Sequence, residues 1–594
     1  MSGSVGCSGG SNDSATDGAG GTGAKAPAKG ATDFVSADAV AGEQAGTADS
    51  FRNGGAGAAA TAPGLAADGA QMSDPRSVAE GDIYRVLDNG TILNLNSYRG
   101  LQVIDVSDPG APAIVGRVAV LGTPLEMYVR GDRAYVLLND WQGYYGTRED
   151  LNVQRREGGL LAVIDLSDRS APRQVSSELI RGYIRTSRLV ANDSTAALYV
   201  ASSWYGEQDN AQGVSEYIER TVVTSFDVAG DQLSKESELD LGGYVQDIQA
   251  TPDRLLVASS DWGNRTSPSN TVALVDISDP HGQMVLGDAV PVQGVVQSQF
   301  NMDLYNGVLR VVSSGNFGNG ANAVETFDAR DIQNVTRLDR CAFGDGQQLY
   351  ATVFLENKAF FVTYLRQDPF HAFAIGDDGR CEEHNEFVVT GWNDFLRPVA
   401  GGTRLIGVGT DDADASRTPA ISLYDITDLG NANPLLARAS AGALDWSWSE
   451  ANSDHRAFSV LENAVFARDG TDETGLVLLP FEGYKSSANG KGGEYFTRVQ
   501  IFTFSDHSVT RRGTMDHDSP VRRSFPAREG VIANLSESSL ALHNPNNPDQ
   551  PDALGQVEFA PDYGRVLRFG NYVARLKRPG YDYYEESNSG DGVP

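Results

Sequence analysis

The amino-acid sequence predicts an all-β fold, a β-propeller of about eight four-stranded antiparallel blades (seven or nine being the neighbouring counts) behind a disordered tail. Three observations predict it. An apolar strand ending in an acidic turn recurs eight times, a second β-branched or aromatic strand stands ahead of each copy, and no segment sustains the 3.6-residue apolar period of an amphipathic helix. Composition agrees: 594 residues with 66 Gly, 24 Pro, 40% hydrophobic and 21% charged residues suit a turn-rich globular chain and not a coiled coil. The 47 Lys+Arg against 79 Asp+Glu give a formal charge of −32, which argues against nucleic acid as a partner, because phosphate binding needs a basic face. Only seven of the cations are Lys, and a Lys-poor acidic surface is one route to solubility at high salt. No stretch approaches the roughly 18 uninterrupted apolar residues of a membrane-spanning helix.

Residues 1–80 are almost entirely Gly, Ala, Ser, Thr and Asp, so they bury too little surface to offset chain entropy and are expected to form a disordered tether. Within it, Ser4-Val5-Gly6-Cys7-Ser8-Gly9-Gly10 resembles the end of a bacterial lipoprotein signal, with Cys7 as the lipidated residue and Ser8 as an outer-membrane sorting residue. Six residues precede Cys7 and none forms the apolar stretch of a signal peptide, so either the true start lies upstream or Cys7 is an ordinary residue in a tail.

The propeller is expected over residues 81–580, with a second disordered tail at 581–594. In chain order the turn-bearing strands are LQVIDVSDP (101–109), LAVIDLSDRSAP (161–172), VVTSFDV (222–228), VALVDISDP (272–280), AVETFDARD (323–331), HAFAIGDD (371–378), ISLYDITD (421–428) and VQIFTFSD (499–506). Their leading Asp positions are Asp105, Asp165, Asp227, Asp276, Asp328, Ala374, Asp425 and Thr503, spaced by 60, 62, 49, 52, 46, 51 and 78 residues. The strands ahead of them are TILNLNS (91–97), RAYVLLND (133–140), ALYVASS (197–203), RLLVASSD (254–261), VLRVVSSG (308–315), AFFVTYL (359–365), RLIGVGTD (404–411) and GLVLLPF (475–481). With one more strand before and one after, each unit holds four, labelled a to d outward from a central channel. Residues 521–544 look like part of a ninth copy, placed to close the ring. Asp and Ser explain the turns locally, since they cap turns while Pro presets the next bend.

FFVTYLRQDPFHAFAIGDD (360–378) and FVVTGWNDFLRPVAGGTRLIGVGTD (387–411) resemble the bacterial and archaeal secreted β-propeller domain family, distantly related to WD repeats. GYIRTSRLV (182–190), SQFNMDLYNGVLRVVSS (298–314), DHRAFSV (454–460) and VRRSF (521–525) extend the resemblance over roughly 80–545, with Ala374 departing from the usual Asp. The resemblance implies an exported propeller, an outer-membrane lipoprotein or an extracellular protein, and carries over no catalytic residues.

Topology places the b-to-c and d-to-a connections on one face. The longest, at 141–159, 204–220, 262–270, 412–418 and 482–494, are b-to-c loops. Trp141, Trp204 and Trp262 follow strand b, whereas Trp392, Trp446 and Trp448 lie in d-to-a connections; Tyr144, Tyr145 and Tyr205 join them on that face. Aligned innermost-strand positions read Glu126, Arg188, Asp247, Asn301, Thr352, Arg397, Arg456 and Arg523, four Arg against two acids. Such a mouth suits a carboxylate-bearing or sugar-like ligand; the competing reading is that Arg and acid pair to seal the channel and each Trp packs over its own blade.

No G-x-S-x-G elbow, H-E-x-x-H helix or P-loop is present, so no catalytic residue and no metal ligand set is assigned. GNFGNG (315–320) reads as a loop, and Asp516-His517-Asp518 as a polar turn. No cofactor is expected. Asp411, Asp412 and Asp414, or Asp469, Asp472 and Glu473, are oxygen-rich enough for Ca²⁺ but lack EF-hand spacing, and solvation is the favoured reading. An exported compartment would permit a Cys341–Cys381 disulfide, but strand positions put the two on opposite faces, which argues against it.

The reading that follows is a noncatalytic, exported, envelope-associated binding scaffold that presents a Trp/Arg-rich face to a protein, peptide or glycan and meets the membrane only through a lipid anchor. The alternative is a hydrolase or lyase acting on an anionic sugar or lactone at the channel mouth, with Glu126 or Asp247 as its base.

Overall fold

The computed structural model describes residues 76–577 apart from 88–89, 147–150, 210–214, 231–232, 262–268, 316–319, 365–367, 390, 413–416, 443, 468–469, 488–491, 560–562 and 571. Nine antiparallel sheets follow one another as blades: residues 84–118, 121–180, 183–242, 244–292, 302–343, 348–389, 392–440, 446–517 and 521–558. The ninth copy is thus complete, built from Val521–Arg528, Val531–Ser536, Ser539–Asn544 and Asp552–Glu558. A hairpin, Tyr563–Phe569 with Tyr572–Lys577, comes after it.

Each blade is sandwiched by two neighbours, so its b and c strands are buried on both faces and carry apolar side chains at nearly every position, as in Leu101, Val103 and Ile104. A separate buried cluster fills each of the nine blade interfaces. The closing interface joins Phe525, Leu535 and Leu542 of the last blade to Tyr84, Ile92 and Ile104 of the first, with the Tyr84 and Phe525 rings stacked 3.7 Å apart. Burying one such aliphatic or aromatic side chain contributes about 1.5–3 kcal/mol, so the ring closes without a shared strand.

The acidic turns are Asx turns. Asp105, Asp165, Asp276 and Asp425 accept from the backbone N–H two residues on at 2.8, 3.1, 2.8 and 2.9 Å, and Asp108, Asp279 and Asp428 repeat the device at 2.9 Å each. Each turn lies against the outer strand of the preceding blade. At the seam, a Cβ on Gly555 of blade 9 would stand 2.5 Å from the Pro109 carbonyl of blade 1, so the contact requires glycine.

This overlap also overturns the expectation for the cysteines. Cys341 and Cys381 form a disulfide, their Cα atoms 6.1 Å apart. Cys381 does open its outer strand while Cys341 sits near the end of the neighbouring one. Twisted blades, unlike flat ones, lay the start of one outer strand across the body of the preceding blade's.

Three predicted loops are strand. Residues 141–159, 204–220 and 482–494 largely continue their b and c strands as hairpins, with Trp204 opposite Arg220 and Tyr484 opposite Tyr495.

Residues 76–80, which composition assigns to the tail, are inside the ring. Ser77–Ala79 pairs antiparallel with the innermost strand of blade 3, adding a fifth strand on its channel side. Arg76 donates to the carbonyls of Ile277 and Asp279 at 2.9 and 3.2 Å, in the c-to-d turn of blade 4. The segment therefore enters from the face of the a-to-b and c-to-d turns. It crosses blade 2, where Met127 N–H donates to the Asp82 carbonyl at 2.8 Å, and joins blade 1 at Ile83.

Candidate functional site

The eight ring residues all lie on innermost strands or the turns that replace them. Register shifts at or just ahead of Glu126, Asp247, Thr352 and Arg523 re-aim those strands. Blade 8 breaks its inner strand into Trp446–Trp448 and Ser459–Leu461, and the intervening turn delivers Asp454, His455 and Arg456. These groups sit within the channel and not at an open mouth: Glu126, Arg188, Asn301, Thr352, Arg397 and Arg523 are all buried.

The expectation of a net positive mouth fails because the chain supplies its own anions. Asp82 accepts from Arg523 Nε at 2.9 and 3.0 Å, and Glu80 lies 2.9 Å from His455 Nε2 and accepts from Gln299 Nε2 at 3.2 Å. Asp454 accepts from Arg456 at 3.0 Å and from Arg523 at 2.6 Å, while Arg188 stands 3.7 Å from Asp247. With these additions four carboxyl groups, Asp82, Glu126, Asp247 and Asp454, meet three guanidinium groups, Arg188, Arg456 and Arg523, and Glu80 meets His455. Glu80 and Asp82 carry no strand or repeat signal, being hidden beside a Gly/Ala-rich tract. Their only clue is their place just ahead of the first blade.

Burial would raise the Glu80 carboxyl, but His455, Arg188 and Arg456 hold it below the usual range. Glu126 behaves oppositely: burial pushes it up to about 7 against the pull of Arg456, 3.4 Å away, and of Arg188. Ser187 donates to it. Gly81 presses on this pair, and a Cβ there would stand 2.5 Å from Glu126 Cβ. Asp247 is also raised by burial, against Arg188, and accepts from the backbone N–H of Ile248 and Gln299 at 2.8 Å each.

On the outer loop face the aromatic residues divide. Arg156 lies over Trp141 at 5.7 Å, Arg181 over Trp204 at 4.3 Å and Arg417 over Trp392 at 5.4 Å, so these three indoles are packed into the blades. Trp446 and Trp448 are 49% and 44% exposed, and Tyr205 and Tyr217 are 37% and 67% exposed with ring centroids 6.1 Å apart. Trp262 and the side chains of Tyr144 and Tyr145 lie outside the described residues. Of the Ca²⁺ candidates, Glu473 is buried and engaged by Thr503, Thr510 and Arg512 at 2.6, 2.7 and 3.2 Å, whereas Asp414 and Asp469 are outside the described residues. Asp516 and His517, expected as a polar turn, end the outer strand Val509–His517 of blade 8, and His517 lies 3.0 Å from the Ser519 carbonyl.

The Beta propeller domain family matches residues 75–221 and 207–538. The chain belongs to this beta propeller domain family. Similar curated proteins are an uncharacterized protein of Methanocaldococcus jannaschii, 30% identical over 171 residues, and one of Archaeoglobus fulgidus, 27% identical over 281 residues. The matches cover 28% and 45% of this propeller chain and 26% and 43% of the relatives, so it spans less than half the length of either. Among solved structures it is similar to a functionally unknown protein from Desulfotomaculum acetoxidans and to Kluyveromyces lactis Hsv2, each at 11% identity and a TM-score of 0.33. The first likeness covers 63% of the propeller chain and 96% of the other, the second 61% and 94%. The match to the family begins at residue 75, just ahead of the channel strand, which makes that strand part of the domain.

Proposed function

We propose that this protein is a noncatalytic, exported binding scaffold whose b-to-c face holds a protein, peptide or glycan of the cell envelope. The observation that carries the reading is the pairing of exposed rings with a filled channel: Tyr205, Tyr217, Trp446 and Trp448 are exposed on the loop face, while in the channel Asp82 pairs with Arg523, Asp454 with Arg456, Asp247 with Arg188 and Glu80 with His455. Arg76 sits on the face opposite those rings, which suits a scaffold anchored through Cys7. The Cys341–Cys381 disulfide favours an oxidising compartment. Among the described residues no helix is long and apolar enough to cross a membrane.

A hydrolase or lyase at the channel would need a free general base. Glu126 is engaged by Ser187 and Arg456 beneath Gly81, and Asp247 by Arg188 and two backbone N–H groups, so the scaffold reading is favoured. The test is retention of envelope components by immobilised protein, compared with a Tyr205→Ala, Trp446→Ala, Trp448→Ala variant. Loss of a specific partner with folding intact is expected; unchanged retention of that partner would remove the aromatic face.

A further inference from the structure

On the outer part of blade 6, where it meets blade 5, one histidine and two glutamates bring their ligand atoms within 4.8 Å of one another. His371 lies on strand c, Asp368–Ile375, and Glu383 and Glu386 on strand d, Cys381–Val389. Residues three apart on a regular strand point to opposite faces. Here a register shift pairs Glu386 with His371 and Glu383 with Phe373, so His384 is the extra residue and both glutamates share the face of His371. The His371 ring is 1% exposed, and Phe343 of blade 5 packs against it in a T-shaped contact with centroids 5.0 Å apart. Its Nε2 lies 2.9 Å from Thr363 Oγ1, and Thr363 donates its own hydroxyl hydrogen to Gln347 Oε1. Nε2 therefore carries the ring hydrogen, and Nδ1 of the neutral ring turns a lone pair toward Glu383 Oε1, 2.7 Å away.

Two acceptors that face each other repel until a cation enters between them. A proton would serve Glu383 but leave one of the two carboxylates uncompensated, and among the described residues neither glutamate pairs with Arg or Lys. We propose that His371 Nδ1, Glu383 and Glu386 bind a divalent transition-metal ion of the zinc type. The donor set decides the class. Zinc accepts imidazole nitrogen and carboxylate oxygen together, in a tetrahedron about 2.0–2.2 Å from the ion, whereas calcium and magnesium call for about six or more oxygen donors. Tetrahedral ligands at that distance stand about 3.3 Å apart, so Glu383 need retreat toward solvent by only about 0.6 Å. The Thr363 hydroxyl is the outer partner that a ligating histidine ordinarily finds for its second nitrogen, and it holds the tautomer and the ring plane. Both glutamates are exposed, so the fourth position faces solvent and takes a water or a donor from another molecule. The site stands whether or not the exposed rings hold a macromolecular partner.

The experiment titrates zinc into the full chain at pH 8 by calorimetry, after chelator treatment and with excess magnesium present to occupy nonselective carboxylate sites. One strong site per chain is expected, with the unfolding midpoint rising as zinc is added. Affinity should fall at least about tenfold in Glu386→Gln, an exposed position on an outer strand, and about tenfold in Thr363→Val, which deprives Nε2 of its acceptor. Cobalt gives a second readout, since a tetrahedral nitrogen–oxygen site produces visible absorption bands that Glu383→Gln with Glu386→Gln should remove. A chain without a strong site overturns the proposal and shows that a proton joins His371 to Glu383. Affinity left unchanged by Glu386→Gln overturns it too, as does a strong site lost only in Asp506→Asn, which moves the zinc to the exposed cluster of Asp472, Asp506 and His507.

Discussion

Replacing Glu126 with Gln should make the propeller more stable at alkaline pH and flatten part of its pH dependence. Glu126 is 5% exposed, and its folded-state pKa is about 7 against 4.5 in an unfolded chain. Between those values the native protein keeps a proton that the unfolded chain has released, so stability falls as pH rises through the window. The gap of about 2.5 units, at 1.36 kcal/mol each, amounts to about 3 kcal/mol at pH 8. Gln cannot ionise and still accepts from Ser187, while Arg456 retains Asp454 at 3.0 Å and the Gly81 carbonyl at 2.9 Å. Urea unfolding of both proteins at pH 5 and pH 8 isolates this site, because Asp303 and Asp394, also raised by burial, titrate alike in both and cancel in the difference. The variant should gain up to about 3 kcal/mol relative to the parent on going from pH 5 to pH 8. A difference that is constant with pH, or a variant that loses ground at pH 8, would show that Glu126 is held as a paired carboxylate and refute the argument.

Gly81→Val should cost at least about 2 kcal/mol in the same unfolding assay, since its Cβ would overlap Glu126 Cβ, and an unchanged midpoint would mean that residues 76–82 do not sit in the channel. Reduction of Cys341–Cys381, which closes a 40-residue separation, should lower stability by about 2–4 kcal/mol, read as a shift in the unfolding midpoint with and without reductant. Trp446→Ala with Trp448→Ala should cost no more than about 2–3 kcal/mol in the unfolding assay while removing partner capture, because the two residues are 49% and 44% exposed. Trp392→Ala should behave oppositely and destabilise, since that indole packs against Tyr364 at 5.3 Å and under Arg417 at 5.4 Å; a neutral effect would place it with the exposed rings.

Much of this architecture is written locally, and its limits are local too. Asp105-to-Asp425 turns could be aligned because each Asx turn is satisfied by the backbone two residues away, a relation that needs no distant partner. The channel positions follow from the strand ahead of each b strand, because their distance to the acidic turn varies with the intervening loop, from 22 residues between Thr352 and Ala374 to 47 between Arg456 and Thr503. Glu80, Asp82 and His455 escaped: the first two precede the first blade, and the third sits in a turn that interrupts an inner strand. Asp394 stands three residues ahead of Arg397, off the position that repeats from blade to blade around the channel. Alternation along a strand cannot tell Trp392, covered by Arg417, from Trp446, which is 49% exposed.

The sequence by itself determined a ring of four-stranded units and the side on which its tryptophan-bearing connections emerge, because hydrogen-bonded ladders and their turns are specified by neighbours along the chain. Only the tertiary structure decided what fills the channel and which cysteines meet. Those outcomes depend on blade twist and on Coulomb interactions between residues hundreds of positions apart, such as Asp82 and Arg523, and no periodicity along the chain encodes them.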